Sequence, residues 1–254
     1  MLFRKIRAAR DLQTAQFKIT KGLSARSSRL LNKNNPLSWQ FSGFSQNQED
    51  GIVDELLLNL KHRNKYLIEI GCSDGIENNS SWHIFSNNYS GLLIDSDKEN
   101  TDRAYYWMHP LSPTSRWENL FVTPTSILQT IDNFPVKDPD FFSLDIDSFD
   151  FDVASAILSS GFKPKIFLVE YNSNFGAETL AHYSYSDFQN NIAPDSQNWG
   201  CSISEWKNLF AQFGYKFITV DETGVNAFFV DPSMFIESFN PYGNGLNFAN
   251  SRHF

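Results

Sequence analysis

Tyr66-Leu67-Ile68-Glu69-Ile70-Gly71-Cys72-Ser73-Asp74-Gly75, followed by Gly91-Leu92-Leu93-Ile94-Asp95, decides the fold of this chain. Each stretch holds a short apolar run of strand length, and the first breaks at a glycine-bearing turn. Residues 80–86 between them read as a short helix. Strand, turn, helix, strand is a βαβ unit, which implies a parallel sheet with helical crossovers. Ligands of such sheets bind beyond the carboxyl ends of the strands. Asp95 stands at one of those ends, 20 residues past Gly75, where a carboxylate can accept both hydroxyls of a ribose. The turn lacks the third glycine of a dinucleotide fingerprint and the Gly-Lys-Ser/Thr of a phosphate loop, so neither is expected.

Outward from this unit, further elements follow. Residues 141–146 and 165–170 read as buried strands, and 150–159 as a helix ended by Gly161. Ser202 to Glu205 fits a capping box opening a helix that buries Ile203, Trp206, Leu209, Phe210 and Phe213. Two runs, 215–220 and 225–230, flank Asp221-Glu222-Thr223-Gly224 and form an antiparallel hairpin. Upstream, Ser45 to Gln48 fits a second capping box, before a stripe of Ile52, Val53, Leu56, Leu57 and Leu60. Residues 99–140 yield one helix, at 125–131, among scattered prolines. The expectation is an α/β fold: a mostly parallel sheet, helices on both faces, and an antiparallel pair at the C-terminal end.

Charge is divided unevenly. The 254 residues carry a net −8, yet residues 1–33 hold nine Lys/Arg against Asp11 alone, a local +8, leaving −16 for the rest. An acidic body offers no broad positive surface, so no nucleic-acid partner is expected. The division predicts a basic arm over 1–40, one domain over 41–235 and a tail over 236–254. The arm reads as a solvated tail, an organelle transit segment, or a surface helix in peripheral contact with anionic lipid at the inner membrane face. No apolar run approaches the roughly 20 residues needed to span a bilayer. Two cysteines, Cys72 and Cys201, make no disulfide framework, which points to a reducing, cytoplasmic setting. Oligomeric state leaves no signal in the sequence.

Acids gather at two strand ends. Alternate residues of a strand share a face, so Asp145 pairs with Asp147 and Glu170 with Asn172. If the two strands are neighbours, these groups converge into an all-oxygen set suited to Mg²⁺, or into a carboxylate pair acting as general base. His83, His109 and His182 are isolated; of the three, His182, in the long loop over 173–199, is the best candidate base. Trp82, Trp107, Trp117 and Trp199 could stack on a ring, but core packing is the default. Cys72 has no partner arrangement that would make it a nucleophile.

Taken in order, these motifs resemble the FkbM-type S-adenosylmethionine-dependent methyltransferases. The matching stretches are Phe44-Ser45-Gln46 with Glu49-Asp50-Gly51, Glu69-Ile70-Gly71 through Asp74-Gly75, and Leu93-Ile94-Asp95. Val122-Thr123-Pro124, Leu144-Asp145-Ile146-Asp147, Val169-Glu170-Tyr171-Asn172 and Val225 to Val230 continue the set. The resemblance implies a three-layer Rossmann-like class I methyltransferase sheet of seven strands with a reversed final hairpin. It implies that Glu69, Gly71, Ser73 and Gly75 cradle the methionine part of S-adenosyl-L-methionine, that Asp95 takes the ribose, and that Asp145 and Asp147 sit beside the methyl group. By analogy with catechol-type O-methyltransferases, Asp147, Glu170 and Asn172 would hold Mg²⁺, although Asp-x-Asp and Glu-Tyr-Asn are not the catechol spacing. Ser73 stands where many methyltransferases have glycine. The implied reaction is O-methylation of a glycan, a glycolipid or a small hydroxylated metabolite. Two other readings fit the same residues: a non-catalytic binding or assembly protein, and another nucleotide-dependent transferase of glycan biosynthesis.

Overall fold

The computed structural model describes residues 2–194 and 199–239; residues 195–198 of the long loop and the expected tail from 240 onward lie outside them. Seven strands form one sheet: β1 (Tyr66–Ile70), β2 (Ser90–Asp95), β3 (Arg116–Asn119), β4 (Phe141–Leu144), β5 (Ile166–Glu170), β6 (Lys216–Val220) and β7 (Asn226–Val230). Their order is β3-β2-β1-β4-β5-β7-β6. The first five strands are parallel, while β7 runs antiparallel to both β5 and β6. This is the α/β, Rossmann-like sheet with a reversed final hairpin that was expected. Strand order reverses direction of growth at β1 and β4, so a crevice opens at their carboxyl ends.

The period of two along each strand sends alternate side chains into two separate cores. Tyr66, Ile68 and Ile70 of β1 join a core with Ile127 and Ile131 of α5 (Pro124–Ile131), Val153 and Ile157 of α6 (Asp150–Ser159), and Trp206 and Phe210 of α8 (Ile203–Gln212). Leu67 points the other way. It joins Ile52 and Leu56 of α2 (Glu49–Leu58), Trp82 of α3 (Ser81–Asn87), and Ala104 and Trp107 of α4 (Lys98–Met108). Helices therefore cover both faces and the sheet is the middle layer.

The first helix, α1 (Leu2–Ser28), does not stand apart as a tail. It belongs to the second core through Ala15, only 1% exposed. Arg26 and Arg29 both reach the buried carboxylate of Asp54 in α2, at 2.9 and 3.3 Å. Asp11 takes a two-pronged grip from Arg103 of α4, at 2.9 and 2.6 Å. Five of the nine basic residues that suggested a solvated arm, Arg4, Arg7, Lys18, Arg26 and Arg29, thus have partners in the body; Arg4 donates to the Tyr106 hydroxyl at 3.0 Å, Arg7 pairs with Glu99, and Lys18 donates to the Phe44 carbonyl at 3.2 Å. Close packing also holds α1 down. A Cβ on Gly22 would lie 2.4 Å from the fully buried Trp82 ring and 3.0 Å from the Cα of Gly43, which abuts the same ring edge. Gly22→Leu is therefore expected to cost about 1–3 kcal/mol in a urea melt, the usual range for overpacking. An unchanged midpoint would mean that α1 is not docked in this way.

Two elements between 98 and 140 were not read from the sequence, α4 and the edge strand β3. A third element starts later than expected. The Ser45 capping box does not open a helix at 46; α2 begins at Glu49, after Gln48 at φ +71°. The Ser45 hydroxyl instead accepts from the Asp50 N–H at 3.0 Å, and Asp50 Oδ2 accepts the N–H groups of Gly43, Phe44 and Ser45 at 2.7–2.9 Å. The serine and the acid thus fix a loop ahead of the helix.

Candidate functional site

A cavity of about 660 Å³ opens where β1, β2, β4 and β5 end, within the usual range for a small-molecule site. Glu69, Gly71, Ser73, Asp95, Asp145, Asp147 and Glu170 all line it. Most of the residues singled out from sequence therefore share one space.

The glycine turn is built by backbone needs on two sides. Gly71 has φ +87°, and a Cβ there would lie 1.6 Å from the Asp145 carbonyl, so β1 can pass the end of β4 only without a side chain. Gly75 has φ +77° and a Cβ would meet Met108 Sδ at 2.4 Å, under α4. Between them, Ser73 takes φ +49°, an uncommon conformation for a residue with a side chain. Its N–H donates to Asp95 Oδ2 at 2.8 Å, which ties the turn to the end of β2. The other oxygen of Asp95 accepts from the Asp97 N–H at 2.8 Å. From behind, Trp107 Nε1 donates to the Asp74 carbonyl at 2.9 Å, and Arg103 pairs with the Asp74 carboxylate. Arg103 thus joins α1, through Asp11, to the turn. Gly75 packs behind the turn and does not line the cavity.

Glu69 is 2% exposed and its Oε1 accepts the Asn79 N–H at 2.8 Å. Burial pushes its carboxyl up to about 7, with the Ser80 hydroxyl and the Asn79 amide pulling the other way. Glu49 lies on the same wall and is likewise raised to about 7, by burial first and then by Asp221. Its two oxygens take Asn226 Nδ2 and the Asn47 N–H, both at 2.6 Å. Asn78 Nδ2, Asn226 Oδ1 and Asp145 Oδ1 belong to lining residues, are shut from water and have no hydrogen-bond partner among the described residues. A buried polar atom left in that state costs about 1–3 kcal/mol until a ligand pairs it.

Asp145, Asp147 and Glu170 bring one carboxylate oxygen each to within 4.8 Å of one another. Asp145 follows β4 with its N–H on the Ile70 carbonyl at 3.0 Å. Asp147 sits at φ +55°, in a loop fixed by the first residue of α6: Asp150 accepts the N–H groups of Ile146 and Ser148 at 2.7 and 3.0 Å. Burial, then repulsion from neighbouring carboxylates, raises the Asp145 and Glu170 carboxyls well above their usual range. Two such groups in contact hold a proton between them near neutral pH.

Besides Gly75, two predicted site residues fall elsewhere. Asn172 does not line the cavity. The alternation that paired it with Glu170 ends with β5. Asn172 N–H bonds the Cys201 carbonyl at 2.8 Å, its Oδ1 caps the Asn174 N–H at 2.9 Å, and its Nδ2 holds the Trp199 carbonyl at 2.9 Å. His182 also lies off the cavity: it stacks on Phe151 at 4.1 Å, faces Glu205 at 3.4 Å and bridges to Cys201 in the sheet direction. Its ring packs the long loop against α6 and α8.

Sequence reasoning also overlooked part of the lining. Phe121 and Phe188, 54% and 39% exposed, form an aromatic lip at 6.0 Å from each other, Phe188 coming from α7 (Tyr185–Gln189) in the long loop. Attention to tryptophan concealed it; Trp82 and Trp107 are core, as the default held. Glu49 and Asn226 were present in the family motifs but without a role.

No protein-family model matches the sequence, and no curated protein matches it. The FkbM resemblance rests on the motifs alone. Solved structures of similar fold include magnesium protoporphyrin IX methyltransferase from Synechocystis PCC 6803 with bound S-adenosylmethionine: 8% identity, 72% of this chain and 77% of that one covered, TM-score 0.44. An S-adenosylmethionine-dependent methyltransferase from Clostridium acetobutylicum ATCC 824 is 10% identical over 72% of this chain and 89% of its own, with TM-score 0.44. Another, from Thiobacillus denitrificans in complex with S-adenosylhomocysteine, is 12% identical over 76% and 70%, with TM-score 0.40.

Proposed function

We propose that this chain is an S-adenosylmethionine-dependent methyltransferase that methylates a hydroxyl of a glycan, a glycolipid or a small hydroxylated metabolite. One observation carries the reading. A single cavity at the strand ends joins a ribose-competent acid, Asp95, to buried polar atoms that lack partners and to a proton-sharing acid pair. The residues fit the cofactor: Asp95 for the ribose hydroxyls, Glu69 with Asn78 for the amino-acid end, and the backbone at Gly71 and Ser73 for close approach. When bound, S-adenosylmethionine would supply an electrophilic methyl group. The chain's own part is to hold the acceptor oxygen in line and to take its proton at Asp145 or Glu170, whose raised affinity for a proton suits a general base near neutral pH.

The three carboxylates also fit a hard divalent cation, Mg²⁺ by chemistry, held by Asp145, Asp147 and Glu170. Such an ion would lower the cost of forming an alkoxide. Transfer of labelled methyl from S-adenosylmethionine onto a panel of glycans and polyhydroxylated small molecules tests the function. Methylated product in buffer with Mg²⁺ is the expected result, with a loss of at least about tenfold on chelation. Cofactor binding without transfer to any acceptor would favour a binding protein instead.

A further inference from the structure

We propose that the solvent face of α1 is a docking surface for an anionic lipid bilayer. The inference stands apart from the methyl-transfer reading, because none of its residues lines the cavity at the strand ends.

Docking splits α1 into two faces. Asp11, Ala15 and Gly22 face inward. About a third of a turn away, helix spacing puts Ile6, Arg10, Phe17 and Lys21 along one ridge, at steps of four, seven and four residues. All four are exposed, Ile6 to 49% and Phe17 to 69%. Lys5, on another side of the helix, is exposed too. Arg10, Lys21 and Lys5 have no ion pair with any described residue, whereas Arg7, off the ridge, pairs with Glu99 at 2.6 Å. The only acid of α1, Asp11, is turned in against Arg103, so no acid of the helix interrupts the positive face.

The chemistry of this ridge selects the partner. Cations interleaved with an exposed Ile and Phe match a surface of anionic headgroups over acyl chains, where Lys and Arg meet the charge and the apolar side chains sink below it. A nucleic-acid backbone would use the cations but leave Ile6 and Phe17 in water. A two-fold contact with a second copy would gather the cations of both ridges into one interface with no acid of the ridge to offset them. The body carries −16 outside residues 1–33, so an anionic bilayer would repel most of it and attract this face, which fixes one orientation. No described helix is long and apolar enough to cross a membrane, so the contact is peripheral.

Deleting α1 is a poor test, because it would strip Trp82, Asp54 and Arg103 of their packing. Co-sedimentation of the full chain with phosphatidylcholine vesicles, with and without about one-quarter phosphatidylglycerol, keeps the fold intact. The anionic vesicles are expected to bind at least about tenfold more protein, and the double variant Arg10→Glu/Lys21→Glu to fall to the neutral-vesicle level. Phe17→Ser should weaken binding at high salt as well as low. Thermal midpoints should match the wild type, since these side chains touch solvent. Equal partition into both vesicle types, or full binding by the double variant, overturns the proposal. So does a dimer that Phe17→Ser converts to monomer in a protein that ignores vesicles, which would make the ridge a self-association surface.

Discussion

Asp95→Ala is expected to weaken S-adenosylhomocysteine binding by about 10- to 100-fold in titration calorimetry, matching the loss of one to two hydrogen bonds to a charged group. The carboxylate already holds the glycine turn through Ser73 and the following loop through Asp97. A ribose would use the remaining lone pairs of the same two oxygens. Alanine thus removes the ligand's acceptor and loosens the turn that must approach it. Asp95→Asn separates the effects: its single amide oxygen keeps one of these bonds, so an intermediate loss is expected. Circular dichroism should show the sheet unchanged, because Asp95 closes β2 from its solvent end and contributes nothing to either core. Affinity equal to wild type in the alanine variant would remove Asp95 from the cofactor site and, with it, the main link between this cavity and an adenosyl ligand.

What the sequence made legible followed from burial. Strands β1, β2, β4, β5 and β7 have buried centres and read as apolar runs, so the βαβ unit and the final hairpin could be traced directly. The edge strand β3 is Arg-Trp-Glu-Asn, partly or fully exposed throughout, and no hydrophobic pattern marks it. In α4 only Thr101, Ala104, Trp107 and Met108 are buried, too few apolar positions to stand out beside five charged or amide side chains. Its cap was visible nonetheless: Asp97 accepts from Glu99 and Asn100, an N-cap signal passed over amid the prolines. At the site, strand parity anticipated that Asp145, Asp147 and Glu170 would meet, although β4 ends at Leu144 and it is a loop at φ +55° that aims Asp147. It failed at Asn172 because the chain had already left the sheet. Parity is a property of paired backbone, so it expires where the ladder ends. The basic arm misled for a different reason. Counting charge along the chain gives no account of partners, and the acids that receive Arg26, Arg29 and Arg103 lie far away in sequence or on another helix.

The site should also register in the pH dependence of stability. Between pH 6.5 and 8.5 the unliganded protein is expected to lose about 2–4 kcal/mol. Glu49 and Glu69 are held near 7, and the Asp145–Glu170 pair is raised further still, all by burial first. Each folded carboxyl binds its proton more tightly than in the unfolded chain. The stability they contribute is therefore full below their unfolded range near 4 and is lost as pH climbs through the folded values. His83 is lowered to about 4 by burial, so it works in the opposite direction only below its unfolded value near 6.5. The buried thiols of Cys72 and Cys201 are raised, so they work in the same direction as the acids, but only as pH nears their unfolded value of about 9. Glu170→Gln removes one ionisable member of the pair and leaves Asp145 alone to take its charge. Its melting temperature should accordingly fall less steeply from pH 6.5 to 8.5 than that of the wild type in scanning calorimetry. Added Mg²⁺ should flatten the wild-type slope toward the variant's, because a cation compensates the charge that burial penalises. Parallel slopes in the two proteins would place the titration outside the acid pair. A slope that ignores Mg²⁺ while Glu170→Gln flattens it would leave the pair as a proton acceptor without a metal, and that outcome would assign proton removal from the acceptor hydroxyl to the chain's own carboxylates.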